Sequence, residues 1–386
     1  MSDSNIPFNK LYISGNELDY IERAQEAGFL SGDGPYTKLC NQWLEKHLGA
    51  KKALLTHSCT AALEMAAILA NIGPGDEVIL PSYTFVSSAN AFVLRGGIPV
   101  FVDVHPETLN INEKLIESAI TSKTRAIIPV HYAGVACEMD SIMQIARHYK
   151  LLVIEDAAQA IMSSYKGKML GTIGHMGCLS FHGTKNIVSG EGGALLINDE
   201  SFLLRAEVIR EKGTNRNRFI NGEVDKYTWE DLGSSFLPGE MTAAFLFAQL
   251  QSAKEITDMR LSIWNSYHKA FKNLNYDWLQ LPNILDSCQG NGHMYYLILN
   301  DINDRDLFIK KMDLLGINCV FHYSPLHLSK AGKKYCKSGG VMEITEKYSD
   351  CIVRLPIWAG LSGENLTRVI KCSIDVLDEI NILSLS

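Results

Sequence analysis

Two polar residues follow apolar runs of the kind that form buried strands. The run Leu151–Glu155 leads into Asp156, and the run Cys178–Phe181 leads into a turn that carries Lys185. Ligands of open α/β sheets bind at the carboxyl ends of the strands, so a carboxylate and an amine at two such ends could face one ligand. Taken alone, each has an ordinary alternative, because Asp156 could cap a helix and a lysine in a turn is usually a solvated surface residue.

A third feature is the run of small polar residues from Thr56 to Thr60, between a strand and the start of a helix. Exposed N–H groups and the helix dipole favour a phosphate there, although a plain N-cap by Ser58 or Thr60 explains the segment equally well. The glycine-rich run Gly190–Gly193 allows a close backbone approach to a ligand. An amine for an imine, a carboxylate for a pyridinium and an anion site are together what pyridoxal 5'-phosphate (PLP) requires. The sequence therefore predicts PLP as the cofactor.

The elements that would position these residues alternate between short apolar runs and helical patterns. Runs that are apolar at consecutive positions are typical of strands buried on both faces of a mainly parallel sheet. The predicted strands are Glu77–Leu80, Pro99–Val104, Arg125–Tyr132, Leu151–Glu155, Cys178–Phe181 and Ala194–Ile197. The predicted helices are Thr60–Ala70, Ser87–Arg95, Asn112–Ile120 and Glu138–Tyr149. This alternation predicts a doubly wound α/β domain.

The rest of the chain predicts a second, smaller unit. Residues 201–237 are polar and rich in Gly and Asn, which favours a long irregular loop. Residues 241–273 indicate a long helix or a helix pair, and residues 280–386 a smaller α+β unit. We expect a large PLP-binding domain over residues 1–250 and a small domain over residues 251–386, with the N-terminal segment packing on the small domain.

Composition narrows the class of protein. The 386 residues contain 36 Lys+Arg against 43 Asp+Glu, a net charge of -7, which disfavours general binding to nucleic acid or to anionic membranes. The nine cysteines include no C-x-x-C pair and the N-terminus has no signal-peptide pattern, so we expect reduced thiols and a cytoplasmic protein without a membrane span. The 11 histidines show no metal-type spacing, so no metal is required.

Five motifs occur in an order that resembles a known family. They are Thr-x-Ser-Cys-Thr-Ala-Ala-Leu from Thr56, Pro-Ser-Tyr-Thr-Phe-Val-Ser-Ser-Ala-Asn-Ala from Pro81, Glu-Asp-Ala-Ala-Gln from Glu155, Ser-Phe-His-x-Thr-Lys-Asn from Ser180, and Gly-Glu-Gly-Gly from Gly190. Across essentially the whole chain the sequence is similar to the DegT/DnrJ/EryC1/StrS sugar aminotransferases. The resemblance implies the PLP-dependent fold type I of aspartate aminotransferase, with a large mainly parallel-sheet domain and a smaller α+β C-terminal domain. It also implies a homodimer with active sites shared at the interface.

The resemblance also implies roles for particular residues. Lys185 would bind the cofactor covalently and move the proton, and Asp156 would pair with the pyridinium nitrogen. Phe85 would stack on the cofactor ring, and Gln159 would lie near the ring and its phenolic oxygen. The phosphate would be held by Ser58, Cys59, Thr60 and Ser180, and by Ser235 from the partner subunit, at a position where many relatives carry asparagine.

Lysine at position 185 separates two branches of the family. The dehydratase branch carries histidine there, so this chain is predicted to be a transaminase. Gly183 is a departure, because relatives often carry a larger residue there, and it leaves sugar selectivity open. His131, His322 and His327 could equally touch substrate or serve only the structure.

The substrates follow from the resemblance alone. Segments 130–140, 210–216, 225–229 and 321–327 are similar to family members that make dTDP-4-amino-4,6-dideoxygalactose for enterobacterial common antigen. The expected reaction transfers the amino group of L-glutamate to dTDP-4-keto-6-deoxyglucose. The alternatives are the 4-amino-4,6-dideoxyglucose epimer, a 3-amino sugar and, more distantly, a PLP-binding protein without turnover.

Overall fold

A central eight-stranded sheet organises the protein in the computed structural model, which describes residues 5–384. Within that range the strands are β1 (Lys52–Thr56), β2 (Glu77–Pro81), β3 (Ile98–Val102), β4 (Thr124–Ile127), β5 (Leu152–Asp156), β6 (Ser164–Tyr165), β7 (Lys168–Met169), β8 (Met176–Ser180), β9 (Gly193–Ile197), β10 (Cys288–Gln289), β11 (Tyr295–Ile298), β12 (Lys337–Ser338) and β13 (Ile352–Leu355). The order in the central sheet is β1-β9-β8-β5-β4-β2-β3-β12.

Most neighbours in this sheet run parallel, as the apolar runs predict. The pairs β2–β3, β2–β4, β4–β5, β5–β8 and β3–β12 are parallel, whereas β9 is antiparallel to both β1 and β8. Each of the six predicted strands overlaps an observed one. The strand predicted to reach Tyr132 already ends at Ile127, because Pro129 has no N–H to donate to a neighbouring strand.

Helices cover the sheet and build the C-terminal part of the chain. In the described part of the chain the α-helices are α1 (Glu17–Glu26), α2 (Pro35–Leu48), α3 (Cys59–Leu69), α4 (Val86–Val93), α5 (Ile116–Ala119), α6 (Met139–Tyr149), α7 (Leu203–Arg210), α8 (Arg216–Ile220), α9 (Glu240–Gln251), α10 (Ala253–Phe271), α11 (Ile302–Leu314), α12 (Lys330–Tyr335), α13 (Glu343–Cys351) and α14 (Gly363–Ser384). The predicted helix pair over residues 241–273 is α9 and α10, which meet at Ser252. The predicted helix over residues 112–120 is only a 3₁₀ turn followed by α5.

The expectation of an irregular loop over residues 201–237 is wrong for its first third. Helix α7 occupies Leu203–Arg210 because Ala206 and Ile209, three residues apart, bury one face against the main core. The short helix α8 follows. Glu211 and Ser235 pair in an isolated antiparallel bridge, which brings the two ends of the segment 211–235 together.

Among residues 5–384 four apolar clusters are arranged around these elements, the smallest of which contains Tyr83, Tyr132 and Tyr296. Two large clusters lie on the sheet elements and the helices that cover them, from Cys40 onwards. A third joins α10, α11, α14, β11 and β13, and it includes Ile6 from the N-terminal segment. Among residues 5–384 no helix has the length and apolarity needed to cross a membrane.

Candidate active site

A cavity of about 520 Å³ lies at the carboxyl ends of β5 and β8, where the C-terminal elements meet the central sheet. Eight of the residues that the sequence predicts for the site line it: Ser58, Cys59, Thr60, Phe85, Asp156, Gln159, Ser180 and Lys185. Ser235 is exposed and does not line the cavity of its own chain, so its contribution to a partner's site stays a prediction.

Asp156 is the buried carboxylate of the cavity. It is 4% exposed at the end of β5, and the Ser88 hydroxyl donates a hydrogen bond of 2.6 Å to its Oδ2. The Ala158 N–H donates to Oδ1 at 3.1 Å. Since the Ser88 proton points to the carboxylate, the Thr84 hydroxyl, 2.8 Å away, donates to Ser88. Ser88 on helix α4 and Thr84 just before the helix thus form a relay of two hydroxyls that orients Asp156.

Lys185 projects into the same cavity from the turn after β8. Its backbone N–H donates to His182 O at 2.9 Å, and Asn9 Nδ2 donates to Gly183 O at 3.2 Å, so the N-terminal segment covers this turn. Within residues 5–384 the Lys185 amine has no hydrogen-bond or ion-pair partner. Burial lowers the pKa of Lys185 below its ordinary value. The charges of Cys59 and Asp156 act to raise this pKa, but their effect is smaller than that of burial. The amine is therefore free and has a reduced affinity for its proton.

The start of α3 forms the polar end of the cavity. Ser58 caps the helix, because its hydroxyl accepts from Ala61 N at 3.0 Å, so the N-cap interpretation of this segment is correct. A helix of 11 residues leaves its first N–H groups without intrahelical acceptors, and the Thr60 hydroxyl, 2.8 Å from that of Ser87, lies beside them. Gly193 makes the site possible, since a Cβ there would lie 2.3 Å from the carbonyl carbon of Ser58. The glycine run therefore brings β9 close to this helix start.

One wall of the cavity is aromatic. Phe85 is 56% exposed and faces the cavity, with its ring 6.3 Å from that of Tyr323. Gln159 accepts from Ala133 N at 2.7 Å and donates from Nε2 to the Tyr323 hydroxyl at 3.2 Å. Burial raises the pKa of Tyr323 to about 12, so its phenol stays neutral. Its own hydroxyl proton is then available to the cavity.

Arg354 is a lining residue that the sequence argument missed. It stands on β13, where Nη2 donates a long hydrogen bond of 3.4 Å to Phe321 O, and its guanidinium carbon lies 4.7 Å from the centre of the Phe8 ring. In the described part of the chain no carboxylate pairs with it, and its buried Nε has no partner. Burial lowers the pKa of Arg354. The sequence did contain a signal that could have identified Arg354 as a site residue, because a charged residue inside an otherwise apolar strand such as Ile352–Leu355 is unusual.

The histidines that the sequence left open have different surroundings. His131 is fully buried, bonds Glu155 at 2.8 Å and lies outside the cavity. His327 is held by Ser82 at 2.7 Å and Glu346 at 3.1 Å, also away from the cavity. His322 lines the cavity and bonds the Tyr132 hydroxyl at 2.8 Å through Nδ1. Of the three, His322 is therefore the one placed to approach a ligand.

The residues present fit PLP. The cavity combines an unpaired amine for an aldehyde, a buried carboxylate for a pyridinium and an aromatic face. For a phosphate it offers a helix start with the hydroxyls of Ser58 and Thr60, and the hydroxyl of Ser180 at the end of β8. The two features that test this fit are independent of each other: the Lys185 amine has no protein partner, and the Asp156 carboxylate is fixed by Ser88 and Ala158. A fold type I sheet with this site defines a PLP-dependent transferase.

Comparison with known proteins supports the same class. The model of the DegT/DnrJ/EryC1/StrS aminotransferase family matches residues 12–373, and the chain belongs to this family. It is 33% identical to GDP-perosamine synthase of Caulobacter vibrioides over 95% of this chain and 96% of that protein. It is 31% identical to the spore coat polysaccharide biosynthesis protein SpsC of Bacillus subtilis, over 96% and 97%.

Solved structures of relatives share the whole fold. The aminotransferase TlmJ of Streptoalloteichus hindustanus superposes with a TM-score of 0.88 at 28% identity, over 98% of this chain and 100% of that one. A second neighbour, the putative sugar aminotransferase Spr1654 of Streptococcus pneumoniae, 25% identical over 97% of this chain, has been solved in a PLP form and in a PMP form. The predicted α/β fold, family and PLP cofactor are confirmed.

Proposed function

We propose that this aminotransferase moves the amino group of L-glutamate to a keto-sugar linked to a nucleotide, converting dTDP-4-keto-6-deoxyglucose to dTDP-4-amino-4,6-dideoxygalactose. The observation that carries the catalytic part is the free Lys185 amine in one cavity with the buried Asp156 carboxylate. A relative named GDP-perosamine synthase supports a nucleotide-linked sugar as substrate. The dTDP group and the galacto product rest on the sequence similarity of segments 130–140 and 321–327.

Lys185 and Asp156 divide the chemistry between them. Bound PLP supplies an electron-withdrawing ring that makes the Cα proton of an amino donor acidic. Asp156, oriented by Ser88, keeps the ring nitrogen protonated. The Lys185 amine, with its lowered pKa, takes the Cα proton of the donor at neutral pH and later returns a proton to the aminated carbon of the sugar. The helix start at Ser58 and the hydroxyls of Thr60 and Ser180 hold the phosphate.

Arg354 is proposed as the binding residue for a carboxylate of the amino donor. A half-buried guanidinium without a counter-charge is costly, and a carboxylate ligand reduces that cost through charge-assisted hydrogen bonds. Arg354 lines the cavity with Nε unpartnered within the described residues, so it has donor capacity left for a ligand. L-Glutamate carries two carboxylates and meets this requirement.

A homodimer with shared sites is part of the proposal. The segment 213–237 exposes large apolar side chains, including Ile220 at 61% and Trp229 at 79%, which favours cover by a second subunit. Ser235 is exposed on the same segment and would then reach the phosphate end of the partner's cavity. We place the enzyme in the cytoplasm, where reduced cysteines and soluble nucleotide sugars occur together.

The decisive experiment is product analysis. Purified protein is mixed with PLP, L-glutamate and dTDP-4-keto-6-deoxyglucose, and the sugar is identified by mass spectrometry and by NMR coupling constants. We expect amination at C4 with the galacto configuration, one 2-oxoglutarate per amino sugar, and no product with Lys185→Ala. If the product is the gluco epimer or is aminated at C3, the proposed product is wrong, whereas the proposed roles of PLP, Lys185 and Asp156 still hold. PLP binding without 2-oxoglutarate from any keto-sugar would favour the non-catalytic alternative.

A further inference from the structure

A buried polar network begins at the residue next to Lys185. Asn186 is 5% exposed; its Nδ2 donates to Asn291 O at 2.9 Å, and its Oδ1 lies 2.8 Å from His293 Nδ1. His293 lines the cavity, whereas Asn291 is fully buried behind it. The proposed mechanism uses none of these three side chains.

The hydrogen bonds fix the protonation of His293. Because the Asn186 amide nitrogen donates to a carbonyl, its oxygen must face His293, and His293 Nδ1 must carry the hydrogen. Burial first, and then the nearby positive charges of Lys185, Arg260 and Arg354, lower the pKa of His293 well below its ordinary value. His293 is therefore a neutral ring with a defined tautomer, which gives its bond to Asn186 a single direction.

The same network is tied to two other parts of the site. Asn291 Nδ2 donates to Gln159 O at 2.9 Å and to Ile161 O at 2.8 Å, in the segment that follows Asp156. Arg260 on α10 donates to the carbonyl of His293 at 2.7 Å. Movement of Asn186 would leave buried donors and acceptors unpaired at several points, so the network resists it.

The turn that carries Lys185 is held differently on its two sides. On its N-terminal side Gly183 has no side chain and is held through its backbone, whose N–H donates to Gly190 O at 2.8 Å and whose carbonyl accepts from Asn9 Nδ2 at 3.2 Å. Thr184 is exposed. On the C-terminal side the Asn186 side chain ties the backbone next to Lys185 to His293 and Asn291.

We propose that Asn186 and His293 are a positioning pair that fixes the direction of the Lys185 amine in the cavity. The proposal rests on the proposed role of Lys185 as the lysine that binds the cofactor. Asn186 acts through the backbone of the adjacent lysine, and His293 acts through Asn186. Both are positioning residues, since the chemistry is assigned to Lys185.

The test uses three variants of the pair and one control in the PLP-loaded protein. Asn186→Ala and His293→Ala remove the bond from either side, whereas His293→Asn keeps an N–H near the position of Nδ1. Asn198→Ala is the matched control, because Asn198 also donates two hydrogen bonds to backbone carbonyls but lies at the far end of β9, outside the cavity. Unfolding midpoints measure the structural loss in each variant.

Two readouts separate positioning from stability. Borohydride reduction followed by mass spectrometry gives the fraction of Lys185 covalently linked to the cofactor, and steady-state kinetics give kcat and KM. We expect Asn186→Ala and His293→Ala to lower the linked fraction and to lower kcat by about tenfold to a hundredfold, with KM for both substrates within about twofold, because a small misplacement costs on that order. His293→Asn should recover a large part of both losses, and Asn198→Ala should change only the unfolding midpoint.

Other outcomes overturn the proposal. If Asn186→Ala folds and keeps the linked fraction and kcat of the wild type within about twofold, the network does not position Lys185. If His293→Asn is as impaired as His293→Ala, the bond to Asn186 is not the cause of the loss. Failure of the proposed function is recognised separately, because wild-type protein would then show no link between Lys185 and PLP.

Discussion

The Ser88 hydroxyl donates a 2.6 Å hydrogen bond to Asp156 Oδ2, joining helix α4 to the end of β5 across 68 positions of sequence. With Ala158 N bound to Oδ1, both carboxylate oxygens are engaged before any ligand enters. The Asp156 carboxylate is therefore already oriented before PLP binds. Such preorganisation favours catalysis, because the carboxylate has to approach one particular atom, the ring nitrogen of PLP.

The first prediction follows from this pair. Asp156→Asn should bind PLP but lose activity by roughly a hundredfold or more in kcat, because a neutral amide cannot stabilise a protonated ring nitrogen. Ser88→Ala, which removes only the orienting bond, should cost about tenfold or less. Steady-state kinetics at saturating PLP measure both, and an Asp156→Asn variant within a few-fold of wild type would assign this role to another acid.

The second prediction concerns stability and pH in the cofactor-free protein. The pKa of Lys185 is lowered in the folded state from the ordinary value of 10.5. Between the pKa of Lys185 in the folded protein and its pKa in the unfolded chain, the unfolded chain holds a proton that the folded protein lacks. The free energy of unfolding therefore rises with pH in this window. Below pH 10.5 the folded protein either holds the charged amine in a desolvated position or gives up a proton that the unfolded chain keeps, and both destabilise the fold.

Lys185→Met should therefore be more stable than wild type at pH 7, and its advantage should shrink as pH approaches 10.5. Urea unfolding of both proteins at several pH values after removal of PLP measures this difference. Parallel pH profiles for the two proteins would show that the folded state does not disfavour the charged amine.

The third prediction tests the donor site. Arg354→Gln should raise KM for L-glutamate by on the order of tenfold to a hundredfold, the equivalent of about 1.5–3 kcal/mol for hydrogen bonds to a charged group. Arg354→Lys should be intermediate, since an ammonium keeps the charge but loses the bidentate fork. Arg125→Gln, at an arginine paired with Asp76 outside the cavity, is the control. An equal rise in KM for the keto-sugar would contradict a donor-specific role.

The fourth prediction addresses assembly. Lys185→Ala subunits mixed with Ser235→Arg subunits should regain about a quarter of wild-type activity, because half of the random dimers are hybrids and each has one intact site. Each variant alone should be inactive or strongly impaired. A protein that is a monomer at active concentrations, or mixtures that stay inactive although hybrids form, would rule out the shared site.

The sequence was most informative where chemistry and periodicity coincide. Lys185 and Asp156 follow buried strands, so their meeting at one sheet edge could be predicted from the parallel topology alone. Arg354 left one signal, a charge inside an apolar run, whereas Tyr323 and His293 could not be predicted, because they belong to segments that enter the cavity only through tertiary packing. Helix α7 was missed because Gly and Asn later in the same segment dominated its composition.

The lining of the cavity reaches from Phe8 to Ile357 along the sequence, and this has a consequence for the order of synthesis. A growing chain acquires Asp156 and Lys185 early, together with most of the sheet. Arg354 and Tyr323, which complete the wall, are joined to it much later, and contacts over such separations are slow to form. PLP can therefore be captured in its complete site only late in biogenesis, and until then the incomplete cavity depends for its shape on the sheet and on helices α3 and α4.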